Sequence, residues 1–165
     1  MRRDLRNAFL TILIVLVVQF VLGMAVNLFV KVPLNHPGAN SSEYFSGVAQ
    51  SVTWAILQGP FLLVLHTSLG VLLVLVSLGI LVRAIQSRSR AMIITATIGA
   101  LTVLAAGLNG GSYLNYHEDF SSMLMASSFA IAVTAYVVGL WQSPLPRESP
   151  TPDARSPAPP SAQSL

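Results

Sequence analysis

Histidine is the side chain with most chemical scope in this chain, and it occurs three times, at positions 36, 66 and 117. Imidazole exchanges protons near neutral pH and ligates metals. Cysteine is absent, which excludes disulfides, thiolate catalysis and cysteine-ligated metal or iron–sulfur sites. His66 lies in Leu65-His66-Thr67-Ser68, inside an otherwise apolar stretch. An ionisable group within such a stretch is expensive to keep, so it is a functional candidate: a ligand for haem iron or another metal, or a proton carrier. The alternative is a neutral histidine hydrogen-bonded to Gln19, Asn27 or a backbone carbonyl. His117 is followed by Glu118 and Asp119, acidic residues that suit the positive end of a helix dipole. Adjacent residues on a helix do not share a face, so these three do not read as a metal cluster. His36, in His36-Pro37-Gly38, reads as a loop residue or as a further ligand or lid. Asn109-Gly110-Gly111 predicts the end of a helix, with a glycine in the left-handed conformation. No Gly-x-Ser-x-Gly, His-Glu-x-x-His or Walker pattern occurs, so hydrolase and ATPase chemistry has no support.

The elements that must position these residues are four apolar runs: 8–30, 59–82 (beginning as early as Val52), 91–108 and 121–141. The 165 residues are 53% hydrophobic and only 9% charged, with mean hydropathy +0.68. A soluble domain carries about 25% charged residues, so this surface is not built for water alone. A helix crossing the roughly 30 Å hydrocarbon core needs about 20 residues, and every backbone group in lipid must be paired internally. The runs therefore predict an all-α integral membrane domain over residues 1–142, an up-down bundle of four transmembrane helices.

Charge placement predicts the orientation. Arg2, Arg3, Arg6, Arg83, Arg88, Arg90, Arg147 and Arg155 fall on one side of that topology and only Lys31 on the other. The positive-inside rule then puts both termini in the cytoplasm and loops 31–51 and 109–120 outside. The basic excess thus speaks for orientation in a membrane rather than for nucleic acid. Arginine preferred over lysine suits a GC-rich bacterial genome, and the expected location is then a bacterial plasma membrane. Trp54, Tyr113, Tyr116 and Trp141 suit an interfacial aromatic belt. The first run resembles a signal peptide in its basic start and Gly23-Met24-Ala25, but its length matches a retained span. Residues 143–165 hold seven of the ten prolines and predict a disordered cytoplasmic tail, in which Ser149-Pro150 and Ser156-Pro157 match phosphorylation sites. Asn40-Ser41-Ser42 matches a glycosylation acceptor.

Helices in lipid associate through small residues and interhelical hydrogen bonds. The corresponding faces are Gln19, Gly23 and Asn27; Gly59, His66, Gly70 and Ser77; Thr95, Gly99, Thr102 and Ala106; and Ser121, Ser128, Ala132, Ala135 and Gly139. His117, one turn before Ser121, is placed by this pattern at the start of the fourth helix and facing inward. Polar residues concentrate in the external half, which argues against a polar route across the bundle.

A histidine inside helix two, one at the external end of helix four and one in the first external loop together resemble the b-type four-helix cytochromes. They also resemble one half of a haem A synthase. The likeness rests on Leu65-His66-Thr67-Ser68-Leu69-Gly70, His36 and Tyr116-His117-Glu118. The acidic-then-histidine loop motif of the synthases is absent, and His117 reads as shallower than His66. The resemblance implies haem b held by His66 and His117 as axial ligands from diagonal helices, with His36 as ligand or lid, in haem handling or electron transfer. Small residues at 59, 70, 121 and 128 would leave room for the ring. The competing expectation is a non-enzymatic scaffold or accessory subunit, alone, with a membrane partner or as a homo-oligomer, in which His66 is structural. A small transporter is the third. Whether the chain is an enzyme stays open.

Overall fold

The computed structural model describes residues 2–143, all in helices and short connections. Five helices follow in order: α1 (Arg2–Phe29), α2 (Tyr44–Leu57), α3 (Phe61–Gln86), α4 (Arg90–Tyr116) and α5 (Asp119–Gln142). Four of them, all but α2, are long and apolar enough to cross a membrane. Residues 144–165, which include most of the expected tail with Arg147 and Arg155, lie outside the described residues. Ser143, assigned to that tail, instead ends α5: it is buried and its hydroxyl donates to the Gly139 carbonyl at 2.9 Å.

The long helices form a ring. α1 packs on α3 and α5, and α4 packs on the same two, so α1 lies diagonal to α4 and α3 diagonal to α5. Neighbours are antiparallel, as shown by Phe9 against Gly139 and Phe20 stacked on Phe129 between α1 and α5. The α4–α5 pair is the most extensive, because small residues let the backbones approach. Gly99 admits the Tyr136 ring, whose Cζ lies 2.5 Å from where a Cβ would stand. Tyr136, Phe9, Ile12 and Leu16 are fully buried at the centre, while Leu10, Ile14, Val17, Leu75, Leu101 and Ile131 point outward. Apolar side chains on the outside are what a lipid solvent favours, and the interior combines small contact points such as Gly99 and Gly139 with bulky apolar side chains.

Three expectations change. The stretch between the first two runs is not a plain loop: α2 forms there, and Gln58-Gly59-Pro60 separates it from α3. Proline has no N–H to continue α2 and stands as the residue before α3. Val52 therefore belongs to α2 and not to the second span. Asn109-Gly110-Gly111 does not close α4, which runs on to Tyr116. Gly110 and Gly111 are contact points instead, Gly111 against Val48 of α2 and Gly110 against Met125 of α5. Asn27 is exposed and does not share the inward face of Gln19.

Candidate functional site

The functional candidates gather at the end of the ring that carries α2. The last four carbonyls of any α-helix lack intrahelical partners. In α4 the first of these, on Tyr113, keeps an ordinary helical bond, and the next two are met from another segment. His117 N–H donates to Tyr113 O at 2.8 Å, His36 Nε2 to Leu114 O at 3.0 Å, and Asn40 N–H to Asn115 O at 2.9 Å. The fully buried Asn115 also accepts Ser41 N–H at 3.0 Å, and Tyr116 OH donates to Ser41 O at 3.1 Å. The segment 36–41 is thus fastened to the end of α4. α2 closes over it: a Cβ on Gly38, where φ is 91°, would stand 2.6 Å from Ser51 N, and Gly47 lies against the Asn115 amide.

His36 is held on three sides. Nδ1 lies 3.0 Å from Pro37 O and Nε2 reaches Leu114 O. The ring stacks on Trp54 with centroids 4.2 Å apart and 12° between planes. Trp54 is accordingly buried here, not spread in an aromatic belt, whereas Trp141 is open. A neutral imidazole carries one N–H, so only the protonated ring can serve both carbonyls at once.

His117 was expected at the start of the fourth span. It instead caps α4, with φ 58° and ψ 28°, the left-handed conformation that ends helices. Glu118 is the residue preceding α5 and Asp119 lies in its first turn, as their charge suits. The His117 ring is 6.1 Å from that of His36 and 6.2 Å from that of Tyr113. Both its nitrogens are buried without a partner, as are Ser51 Oγ and Asn115 Nδ2 nearby. His36 and His117 are therefore brought together, though both His36 nitrogens face carbonyls.

His66 turns to α1. Its ring Cε1 lies 3.0 Å from where a Cβ on Gly23 would stand, and Gln19 Nε2 lies 3.2 Å from the same point on Gly70. Gln19 Nε2 donates to the His66 carbonyl at 3.1 Å and stands 3.5 Å from the ring Nε2, at the limit of a hydrogen bond. The arrangement is reciprocal. Gln19 and Gly23 on α1, and His66 and Gly70 on α3, are each four residues apart, so both pairs share a helix face. Each polar side chain lies over the other helix's glycine. His66 Nδ1 and Gln19 Oε1 remain buried without partners.

Packing of Val74 against Gly107 puts His66 near the level of the last turn of α4, at about the depth of His117. Among the described residues no group of three His, Cys, Asp or Glu side chains is placed to hold a metal ion. Sequence reasoning missed Asn115 and Ser51 and read Trp54 only as an interfacial aromatic. The alternate small residues in 47–55 were the available signal for a packed segment, while the stop signal at Asn109-Gly110-Gly111 hid Asn115. Comparison with family models, with curated proteins and with solved structures finds no match to this chain, so its own geometry carries the functional reading.

Proposed function

We propose that this is a four-span membrane protein of non-enzymatic kind, a scaffold or accessory subunit, in which His66 is structural. The observation that supports it is the reciprocal clasp of Gln19 and His66 on the glycines Gly70 and Gly23. Interhelical polar contacts of this kind join helices that lipid does not drive together. Arg6, Arg83, Arg88 and Arg90 lie at the end opposite α2, whereas Lys31 follows α1 at the α2 end. With the positive-inside rule the α2 end is external and both termini are cytoplasmic, in a bacterial plasma membrane.

Haem b binding by His66 and His117 is the second reading. It is favoured by the unpartnered His66 Nδ1 and both His117 nitrogens, on side chains at similar depth. It requires the His66 ring to leave Gly23 and Gln19.

One experiment separates the two. The protein and its His66→Gln variant are expressed with ample haem, purified in mild detergent, and examined by absorption and thermal melting. The accessory reading expects no Soret band in either and closely similar melting, because glutamine keeps the polar contact to α1. A Soret band in the wild type that disappears in the variant would replace it with the haem reading.

A further inference from the structure

The residues of α2 divide into three faces at about 100° per residue. Gly47, Val48, Ser51, Trp54 and Ala55 are buried against α3 and α4. Phe45, Ala49, Val52 and Ile56 form one flank, wholly apolar. Ser46, Gln50, Thr53 and Leu57 form the other, exposed and polar except at Leu57. Beside this flank lies an open groove of about 270 Å³, lined by Gln50, Thr53 and Gln58 together with the apolar Pro37, Ala49 and Leu57.

The level of α2 along the bundle follows from its contacts. Tyr44 stacks on Tyr116, Gly47 lies on Asn115, and Val48 and Val52 lie on Gly111. α2 thus crosses the last six residues of α4. The 27 residues of α4 span about 40 Å at 1.5 Å each, against a hydrocarbon core of about 30 Å. Its final turns, and α2 with them, fall at the boundary of that core. Large apolar side chains stand open around the same end: Phe45 is 74% exposed, Phe61 74% and Phe29 77%. Apolar groups so exposed at one level mark contact with a partner or a membrane. Residues 44–57 contain no charged side chain, so α2 has no ion to keep out of an apolar environment.

We propose that α2 is an interfacial helix seated in the outer leaflet, with Phe45, Ala49 and Ile56 against lipid at the headgroup–acyl boundary and Val52 between that flank and α4. The flank of Ser46, Gln50 and Thr53 faces water. Such helices ordinarily use Lys and Arg to hold anionic lipid. α2 has none, so its seat depends on apolar burial and on covalent attachment to α1 and α3, and is indifferent to lipid charge. This inference rests on the membrane-spanning reading above.

Because the chain lacks cysteine, single cysteines can be labelled with an environment-sensitive fluorophore. Phe45→Cys, Ile56→Cys, Gln50→Cys, Thr53→Cys and Leu101→Cys are reconstituted in phosphatidylcholine vesicles, with and without an anionic lipid. Nitroxide-labelled lipids and aqueous iodide serve as quenchers. Probes at 45 and 56 should be quenched several-fold more by a shallow nitroxide than those at 50 and 53, which iodide should reach. Anionic lipid should change neither pattern. Iodide access at 45 and 56 would overturn the interfacial seat. Protection there from both quenchers would also overturn it, pointing to a second copy or another protein. Leu101 is exposed in mid-α4 and should be quenched by a deep nitroxide; failure there would overturn the membrane-spanning reading together with the seat.

Discussion

At the scale of the residue, His36 shows how a side chain in a short turn can organise one end of a fold. It joins three separate parts of the chain: its own turn at Pro37, the end of α4 at Leu114, and Trp54 of α2. His36→Phe retains an aromatic ring for the stack but removes the imidazole's hydrogen bond to a carbonyl. It should cost about 0.5–1.5 kcal/mol, the net contribution of one hydrogen bond. His36→Ala should cost a further 0.5–1.5 kcal/mol or so, the usual value of an aromatic pair. Denaturant unfolding in detergent should rank wild type above Phe above Ala. If the Phe variant matched wild type, the carbonyl contacts would contribute nothing. In the sequence His36 was legible only as a loop residue or lid. Its partners are eighteen and seventy-eight positions away, and no local pattern encodes such a meeting.

Among the elements, α4 and α5 show how a glycine admits a bulky ring between two closely packed helices. Gly99 is buried against the Tyr136 ring, with ring carbons 2.5 and 2.7 Å from a built Cβ. Tyr136 is itself fully buried against Phe9, with no free direction in which to yield. Gly99→Ala should lower thermal stability by about 1–3 kcal/mol, the usual cost of overpacking, and Gly99→Leu by more. Gly79 supplies the control, because a Cβ there meets nothing within 4 Å. Gly79→Ala should melt no lower than wild type. Equal melting of the Gly99 and Gly79 variants would remove the close α4–α5 approach as a source of stability. The small faces of α4 and α5 were legible from spacing alone. Tyr136 as their central side chain was not, because a tyrosine near the end of a span reads equally well as an interfacial anchor.

For the whole molecule, the prediction is its direction across the membrane. Reporter fusions after residues 87 and 145 should read cytoplasmic, and those after 42 and 118 external. The last site follows the end of α4 at Tyr116, so that the helix is complete before the reporter begins. A cytoplasmic reading at 42 would invert the topology and put α2 on the inner leaflet. The ring order of the helices does not depend on that outcome, since α1 meets α3 and α5 whichever side faces out.

The long helices were determined by the sequence alone, because only a continuous helix can keep some twenty apolar residues paired in lipid, and length and hydropathy report that directly. The clasp was half legible: Gln19-x-x-x-Gly23 and His66-x-x-x-Gly70 are local patterns, but that each glycine receives the other helix's polar side chain depends on the register between α1 and α3. The tertiary structure alone decided the α2 end. The stretch 44–57 has a hydrophobic content that suits the start of a span as well as a separate helix, and Gln58-Gly59-Pro60 marks a break without saying which way the chain turns. The end of α4 was open for the same reason. Asn109-Gly110-Gly111 is a helix stop by local preference, about 1 kcal/mol per glycine. Here the contacts of Gly110 with Met125 and of Gly111 with Val48 carry the helix through to Tyr116. Local propensity is small beside packing, and packing exists only once distant helices have met.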